Sequence, residues 1–209
     1  MFRDRGEAGG RLAGAVAELE PERPLVLALP RGGLPVAEHV AQALGAPLDV
    51  IVVRKIGAPG NPEAAIGATT AEGPPLFDKR VLVALGVTEG DLAGRVADAQ
   101  AEARRRVAAY RGDAPEPEIE GRDIIVVDDG LATGMSALAA VSEVRERAAA
   151  SSVVLAVPVG APDAVTALEE VCDRVVCLST PPDFRAVSLW YDRFPQVDDA
   201  EVRRILQRA

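Results

Sequence analysis

Short, continuously apolar runs alternate along the chain with longer stretches of helical periodicity. Leu25-Val26-Leu27-Ala28-Leu29 reads as a buried strand, which Pro30-Arg31-Gly32-Gly33 ends. A helical pattern follows from about Pro35 to Leu44, with proline in its first turn. Leu48 to Val53 reads as a second strand. Gly57 to Pro75 is rich in Gly, Pro and Thr, and reads as a long loop or hairpin with a short strand at Ala64 to Thr69. Leu92 to Tyr110 is a long helix rich in Ala, Arg and Glu, and Asp113 to Gly121 is an acidic, proline-containing connector. Ile124 to Val127 is β-branched throughout, as expected of a strand buried on both faces. Beyond it the pattern predicts a helix over Met135 to Ala150, a strand over Val153 to Val157 and a helix over Ala161 to Val171. A last strand over Arg174 to Leu178 and a helix over Asp199 to Gln207, capped by Asp198 or Asp199, complete the reading.

This alternation predicts an α/β fold: a mostly parallel sheet with helices on both faces, in one domain over residues 1–209. In such sheets ligands sit at the carboxyl ends of the strands. The candidate segments are therefore Pro30 to Gly33, Arg54-Lys55 and Asp128 to Ser136.

Composition narrows the function classes. The chain has 209 residues and a formal net charge of −9, a poor basis for contact with nucleic acid phosphates, so no nucleic acid partner is expected. An apolar content of 48% is too high for a disordered chain. The longest uncharged run, Ala148 to Pro162, falls short of the roughly 20 residues of a bilayer span, so no membrane partner is expected either. The first ten residues lack the apolar stretch of a secretory signal. Cys172 and Cys177 form no C-x-x-C pattern and read as small buried side chains, which makes a reducing cytoplasm the default location. The single histidine, His39, gives no basis for a His-dependent triad or a His-rich metal site. Basic charge is carried almost wholly by arginine, so Lys55 and Lys79 stand out as the two lysines.

The most informative string is Ile124-Ile125-Val126-Val127-Asp128-Asp129-Gly130-Leu131-Ala132-Thr133-Gly134-Met135-Ser136. A buried strand runs into two acids, then into a small-residue turn that opens a helix. Free backbone N–H groups and the helix dipole at that turn favour an anion such as phosphate. The acids cannot hold a phosphate, but they suit hydroxyl donors or a hydrated cation. Together they point to a sugar phosphate. The P-loop and the dinucleotide fingerprint G-x-G-x-x-G are both absent here.

The string Val126-Val127-Asp128-Asp129-Gly130-Leu131-Ala132-Thr133-Gly134-Met135-Ser136 resembles the phosphoribosyl-pyrophosphate (PRPP) motif of the type I phosphoribosyltransferases. The resemblance covers about Leu25 to Leu178 and extends to stand-alone bacterial members of that family. It implies a Rossmann-like core over about 25–178 and a small hood, the acceptor-side cover, from about 1–20 and 180–209. It implies Asp128 and Asp129 on the ribose hydroxyls, with Gly130 and Leu131 leading to the 5′-phosphate loop, Ala132, Thr133, Gly134, Met135 and Ser136. Leu27 to Ala37 resembles the family's pyrophosphate loop. That assigns pyrophosphate to Arg31, with the Gly32 and Gly33 backbone beside it, and a non-proline cis peptide at Pro30-Arg31 or Arg31-Gly32. Arg54 and Lys55 stand where the family often keeps a basic residue for pyrophosphate, and Gly57 to Pro75 where it keeps a mobile catalytic loop. In the hypoxanthine-guanine branch an Asp precedes the Thr-Gly pair. Ala132 stands there in this chain, closer to the adenine enzymes, which disfavours that acid-assisted mechanism without naming the base.

The resemblance thus implies a PRPP-dependent pentosyltransferase of nucleotide metabolism, using Mg²⁺ to move phosphoribose onto a nitrogenous base or similar small acceptor and releasing pyrophosphate. Arg31, Lys55, Asp128 and Asp129 are its candidate catalytic residues, and Asp128 and Asp129 its metal contacts through water and ribose hydroxyls. Four of the seven aromatics fall between Phe184 and Phe194, so Phe184, Arg185, Trp190 and Tyr191 are candidates for an acceptor pocket, packing at the sheet edge being the alternative. Arg3, Arg5 and Arg11 read as hood, site rim or solvated face. The assembly stays open, homodimers being common in the family. A non-catalytic PRPP- or nucleotide-sensing regulatory protein on the same fold is the alternative function.

Overall fold

The computed structural model describes residues 1–147 and 150–208, and of residues 62 and 63 the backbone alone. The chain runs through α1 (Arg5–Ala17), β1 (Pro24–Ala28), α2 (Gly33–Leu44) and β2 (Leu48–Val50). It continues with β3 (Arg54–Ala58), β4 (Asn61–Thr69), β5 (Leu76–Phe77), α3 (Lys79–Leu85) and α4 (Ala93–Arg111). It ends with β6 (Asp123–Val127), α5 (Met135–Arg147), β7 (Ser152–Val157), α6 (Pro162–Glu169), β8 (Arg174–Cys177) and α7 (Asp199–Leu206).

Five parallel strands form the central sheet in the order β2-β1-β6-β7-β8. Side chains alternate between the two faces of a strand, so a run that is apolar at every position can bury both. Leu25, Leu27, Ile124 and Val126 enter one core, which α5 and α6 cover with Val141, Val144 and Leu168. Val26, Ala28, Ile125 and Val127 enter the other, under Leu12 and Val16 of α1, Val36 and Val40 of α2, and Val202 and Ile205 of α7. The expected α/β architecture is therefore the observed one.

Several boundaries differ from the sequence reading. The second strand ends at Val50, not Val53, although Ile51 still donates its N–H to Ala28 O at 3.0 Å. Arg54 and Lys55 open a separate antiparallel sheet, β3-β4-β5, so they do not end the second strand. The segment expected as loop or hairpin is a hairpin, and its Ile56 and Ile66 pack on Leu82 and Leu92. The helix expected to reach Ala150 is described to Arg147; residues 148 and 149 lie outside the described residues, and Ala150 is not helical. Asp198, rather than Asp199, caps α7 by accepting from Glu201 N at 2.7 Å.

The two terminal segments meet. Phe2 N donates to Trp190 O at 2.8 Å, and Asp192 N to Phe2 O at 2.8 Å. Phe2, Ala8, Val159 and Tyr191 form a small core of their own beside the end of β7. Among the described residues no helix is long and apolar enough to cross a membrane.

Candidate active site

The strand order reverses between β1 and β6: the chain moves outward from β1 to β2, then returns to β6 and proceeds to β7 and β8. Such a reversal leaves a crevice at the carboxyl ends of the two strands. Ala28 is in register with Val127, and Leu29 N donates to Val127 O at 2.9 Å. The pairing delivers the Pro30–Gly33 loop and the Asp128–Asp129 pair to the same place. The Pro30-Arg31 peptide is cis, at the first of the two positions expected.

Gly32 lies directly on the acids. A Cβ there would stand 2.6 Å from the Asp129 carboxyl carbon, closer than carbon atoms approach without displacement. The loop can touch the acid only because that side chain is absent. Asp128 Oδ1 accepts from Asp129 N at 2.8 Å. Burial, and then the neighbouring Asp129 charge, push the Asp128 carboxyl well above the ordinary carboxylate range. Burial also raises Asp129, while the Arg5 guanidinium opposes the shift. Arg5 Nε donates to Asp129 Oδ2 at 2.8 Å, and Arg5 Nη1 to Pro195 O at 2.7 Å. The Arg5 guanidinium lies 3.7 Å over the centre of the Phe194 ring.

Downstream of the acids the chain makes a cradle. Among the described residues, none of the N–H groups of Ala132, Thr133, Gly134, Met135 and Ser136 donates to a backbone carbonyl or a side-chain acceptor. Gly134 has φ +77°, a conformation that a residue with a Cβ rarely adopts. Such a turn at a helix start presents several donors to one anion. Leu131 differs from the others in its string. Its side chain is in the core, its N–H donates to Val159 O at 2.9 Å and its carbonyl accepts from Ala161 N at 2.8 Å. Both backbone groups being engaged, Leu131 anchors the cradle and offers no group to a ligand. Gly130 is buried against Val187.

Arg31 lines a cavity of about 350 Å³ together with Arg5, Gly32, Asp129, Phe194 and Val197. Its guanidinium lies 3.6 Å from Asp199 Oδ1, at the start of α7. Lys55 is exposed on β3 and Arg54 half-buried, both outside the residues that line this cavity. The aromatic segment divides. Tyr191 is buried, with its ring centre 5.6 Å from that of Phe2 and 4.9 Å from that of Phe194, and its hydroxyl donates to Asp129 O at 2.6 Å. A ring enclosed in this way has no free face for a planar base, so the acceptor-pocket reading does not hold for Tyr191. Phe184 and Trp190 are half-buried against the same small core, and Arg185 is exposed. Arg5, which the sequence left among several N-terminal arginines, is the residue that sequence reasoning placed least well.

Among the described residues no group of three or more His, Cys, Asp or Glu side chains could hold a metal ion. Two half-buried carboxylates, one already paired with an arginine, fit Mg²⁺ held through ligand oxygens and water rather than in a protein cage.

A family model described as phosphoribosyl transferase domain matches residues 6–190. Two Mycobacterium tuberculosis relatives, provisionally named phosphoribosyl transferases Rv0571c and MT0597, are each 42% identical over 209 residues, which is 100% of this chain and 47% of theirs. The chain spans about half the length of these curated relatives. The crystal structure of TT1426 from Thermus thermophilus is similar at a TM-score of 0.84 and 44% identity, over 99% of this chain and 98% of that one. AQ2163 from Aquifex aeolicus, at a TM-score of 0.52 and 13% identity over 84% of this chain and 74% of its own, shares the fold. The matched span takes in the Pro30–Gly33 loop, the acid pair and the cradle after it, and the chain belongs to the phosphoribosyl transferase domain family.

Proposed function

We propose that this chain is a PRPP-dependent phosphoribosyltransferase that moves phosphoribose onto a nitrogenous base or similar small acceptor and releases pyrophosphate. The observation that carries the reading is the meeting of three features at one strand-order reversal: amides from Ala132 to Ser136 that are unpaired among the described residues, two carboxylates, and an arginine loop pressed against them. The amides suit the 5′-phosphate and the carboxylates the ribose hydroxyls. Arg31 and the Gly32-Gly33 backbone suit the pyrophosphate; Arg54 and Lys55, on the hairpin and outside the cavity lining, are the further basic candidates for it.

In the reaction the bond from the anomeric carbon to pyrophosphate breaks, and a bond to an acceptor nitrogen forms. Charge grows on the departing pyrophosphate, so fixed positive groups aimed at it lower the barrier. Mg²⁺, when bound, supplies further neutralisation of that charge. Asp128 and Asp129 would hold it indirectly, through water and ribose hydroxyls. Phe184, Arg185 and Trp190 remain the acceptor-side candidates, and Tyr191 acts behind them by holding the Asp129 backbone.

The test is pyrophosphate release from PRPP and Mg²⁺ across a panel of purine and pyrimidine bases. Release that depends on one base supports the transferase. Tight PRPP binding with no turnover on any base overturns it in favour of a PRPP sensor.

A further inference from the structure

Arginine commonly meets a carboxylate as a fork, with one N–H on each oxygen. Arg5 meets Asp129 differently. Its Nε and Nη2 both lie 2.8 Å from Oδ2, and neither is given to Oδ1. Oδ2 is also the oxygen beneath the Pro30–Gly33 loop: a Cβ at Gly32 would overlap Oδ2, and would stand 3.2 Å from Oδ1. Guanidinium and loop together enclose Oδ2, and Oδ1 is the oxygen left outside the pair.

The arginine is itself held in place. Its Nη1 donates to Pro195 O at 2.7 Å, and its guanidinium lies over the Phe194 ring. It is the first residue of α1, and the Asp4 that caps this helix pairs with Arg193 Nη2 at 2.6 Å. The main chain of the acid is fixed from the same C-terminal segment, since the Tyr191 hydroxyl donates to Asp129 O. A buried guanidinium with these partners is a fixed point, and it sets the direction of the carboxylate. Groups at a reacting centre need holding to within about 0.5 Å, and it is their supporting contacts that do so.

We propose that Arg5 is a positioning residue for the transfer reaction: by filling Oδ2 it fixes the Asp129 carboxylate with Oδ1 left for a ribose hydroxyl of PRPP. The proposal rests on the PRPP reading of the site. It adds that the first helix and the Phe194–Pro195 segment set the geometry of the ribose subsite through one side chain that touches no substrate.

Calorimetry on the full chain in Mg²⁺, with PRPP and with pyrophosphate alone as the two probes, tests it. Arg5→Ala should bind PRPP at least about tenfold more weakly than the parent, and should bind pyrophosphate as the parent does, because pyrophosphate carries no ribose. Arg5→Lys, which keeps the charge and loses the fork, should recover part of the PRPP affinity. Arg111→Ala opens a comparable ion pair, with Asp49 at the β2 edge of the sheet, and should leave PRPP affinity unchanged, which separates positioning from a loss of stability. A parent that binds no PRPP overturns the reading of the site, and this proposal with it. A parent that binds PRPP while Arg5→Ala binds it equally well overturns this proposal alone. So does an equal loss of both probes in Arg5→Ala, or an equal loss of PRPP in Arg111→Ala. Should Arg5→Ala fail to fold, Arg5→Lys decides: PRPP affinity below the parent's with pyrophosphate unchanged supports the proposal, and parental PRPP affinity overturns it.

Discussion

Arg5 and Asp129 are 124 residues apart in sequence, and both Nε and Nη2 of the arginine lie 2.8 Å from one carboxylate oxygen, Oδ2. The arginine is buried and the acid nearly so, with side-chain exposures of 9% and 14%. Through Pro195 O and the Phe194 ring, the same guanidinium joins the first helix and the C-terminal segment to an acid of the site. Opening one side of such a pair leaves the other charge buried without its partner. Arg5→Ala should therefore cost about 3 kcal/mol of stability in urea unfolding, and Arg5→Lys less, because a lysine keeps the charge and loses the fork.

Asp128→Asn should separate stability from binding. A carboxyl raised in the folded state stabilises the protein below its unfolded value near 3.8, and that contribution fades as pH rises through the folded value. Burial works against the charged form as pH rises, and Asn, which carries no charge at any pH, removes that cost while its Oδ1 can still accept from Asp129 N. Melting at pH 7 should show the variant more stable than the parent, with the gap closing toward pH 3 and PRPP affinity lost.

Gly32→Ala tests the contact between the loop and the acids. The new methyl would meet the Asp129 carboxyl carbon at 2.6 Å, so carboxylate or loop must move. Displacements of this order at a reacting centre cost about a hundredfold in rate. Steady-state pyrophosphate release should fall accordingly, while the circular dichroism spectrum stays that of the parent.

Burial pushes the Cys172 thiol up to about 11, and Cys177 is raised for the same reason. The thiolate is the reactive form. At pH 8 the folded protein should react with a thiol reagent far more slowly than the urea-unfolded chain, and the difference should narrow as pH approaches 11.

The strands were legible because a sheet covered on both faces needs apolar residues at every position, as in Ile124 to Val127. The acid pair and cradle were legible because they are one contiguous string. The first helix was not read, since four glycines in Arg5–Ala17 dilute its helical signal. Its reason is tertiary: a Cβ at Gly9 would meet Val36 O at 2.9 Å, so glycine there permits close packing on α2. A local signal did exist in Asp4 and Glu7, where Asp4 accepts from Glu7 N at 3.0 Å and Glu7 accepts from Arg3 N at 2.6 Å. The hairpin boundary at Arg54 was hidden because Ile51 and Val52 are buried as fully as strand residues while the chain turns away. No local pattern links Arg5 to Asp129, or turns the Tyr191 hydroxyl toward the Asp129 carbonyl. Those contacts exist only once both ends of the chain have folded over the crevice.

Asp128, Asp129 and the Ala132–Ser136 amides are the groups proposed to hold PRPP. Calorimetric titration of PRPP in Mg²⁺, comparing the parent chain with Asp129→Ala, tests that assignment most directly. One PRPP per chain, lost in the variant, is the predicted result. No PRPP binding by the folded parent, or an unchanged affinity in Asp129→Ala, would rule out that assignment.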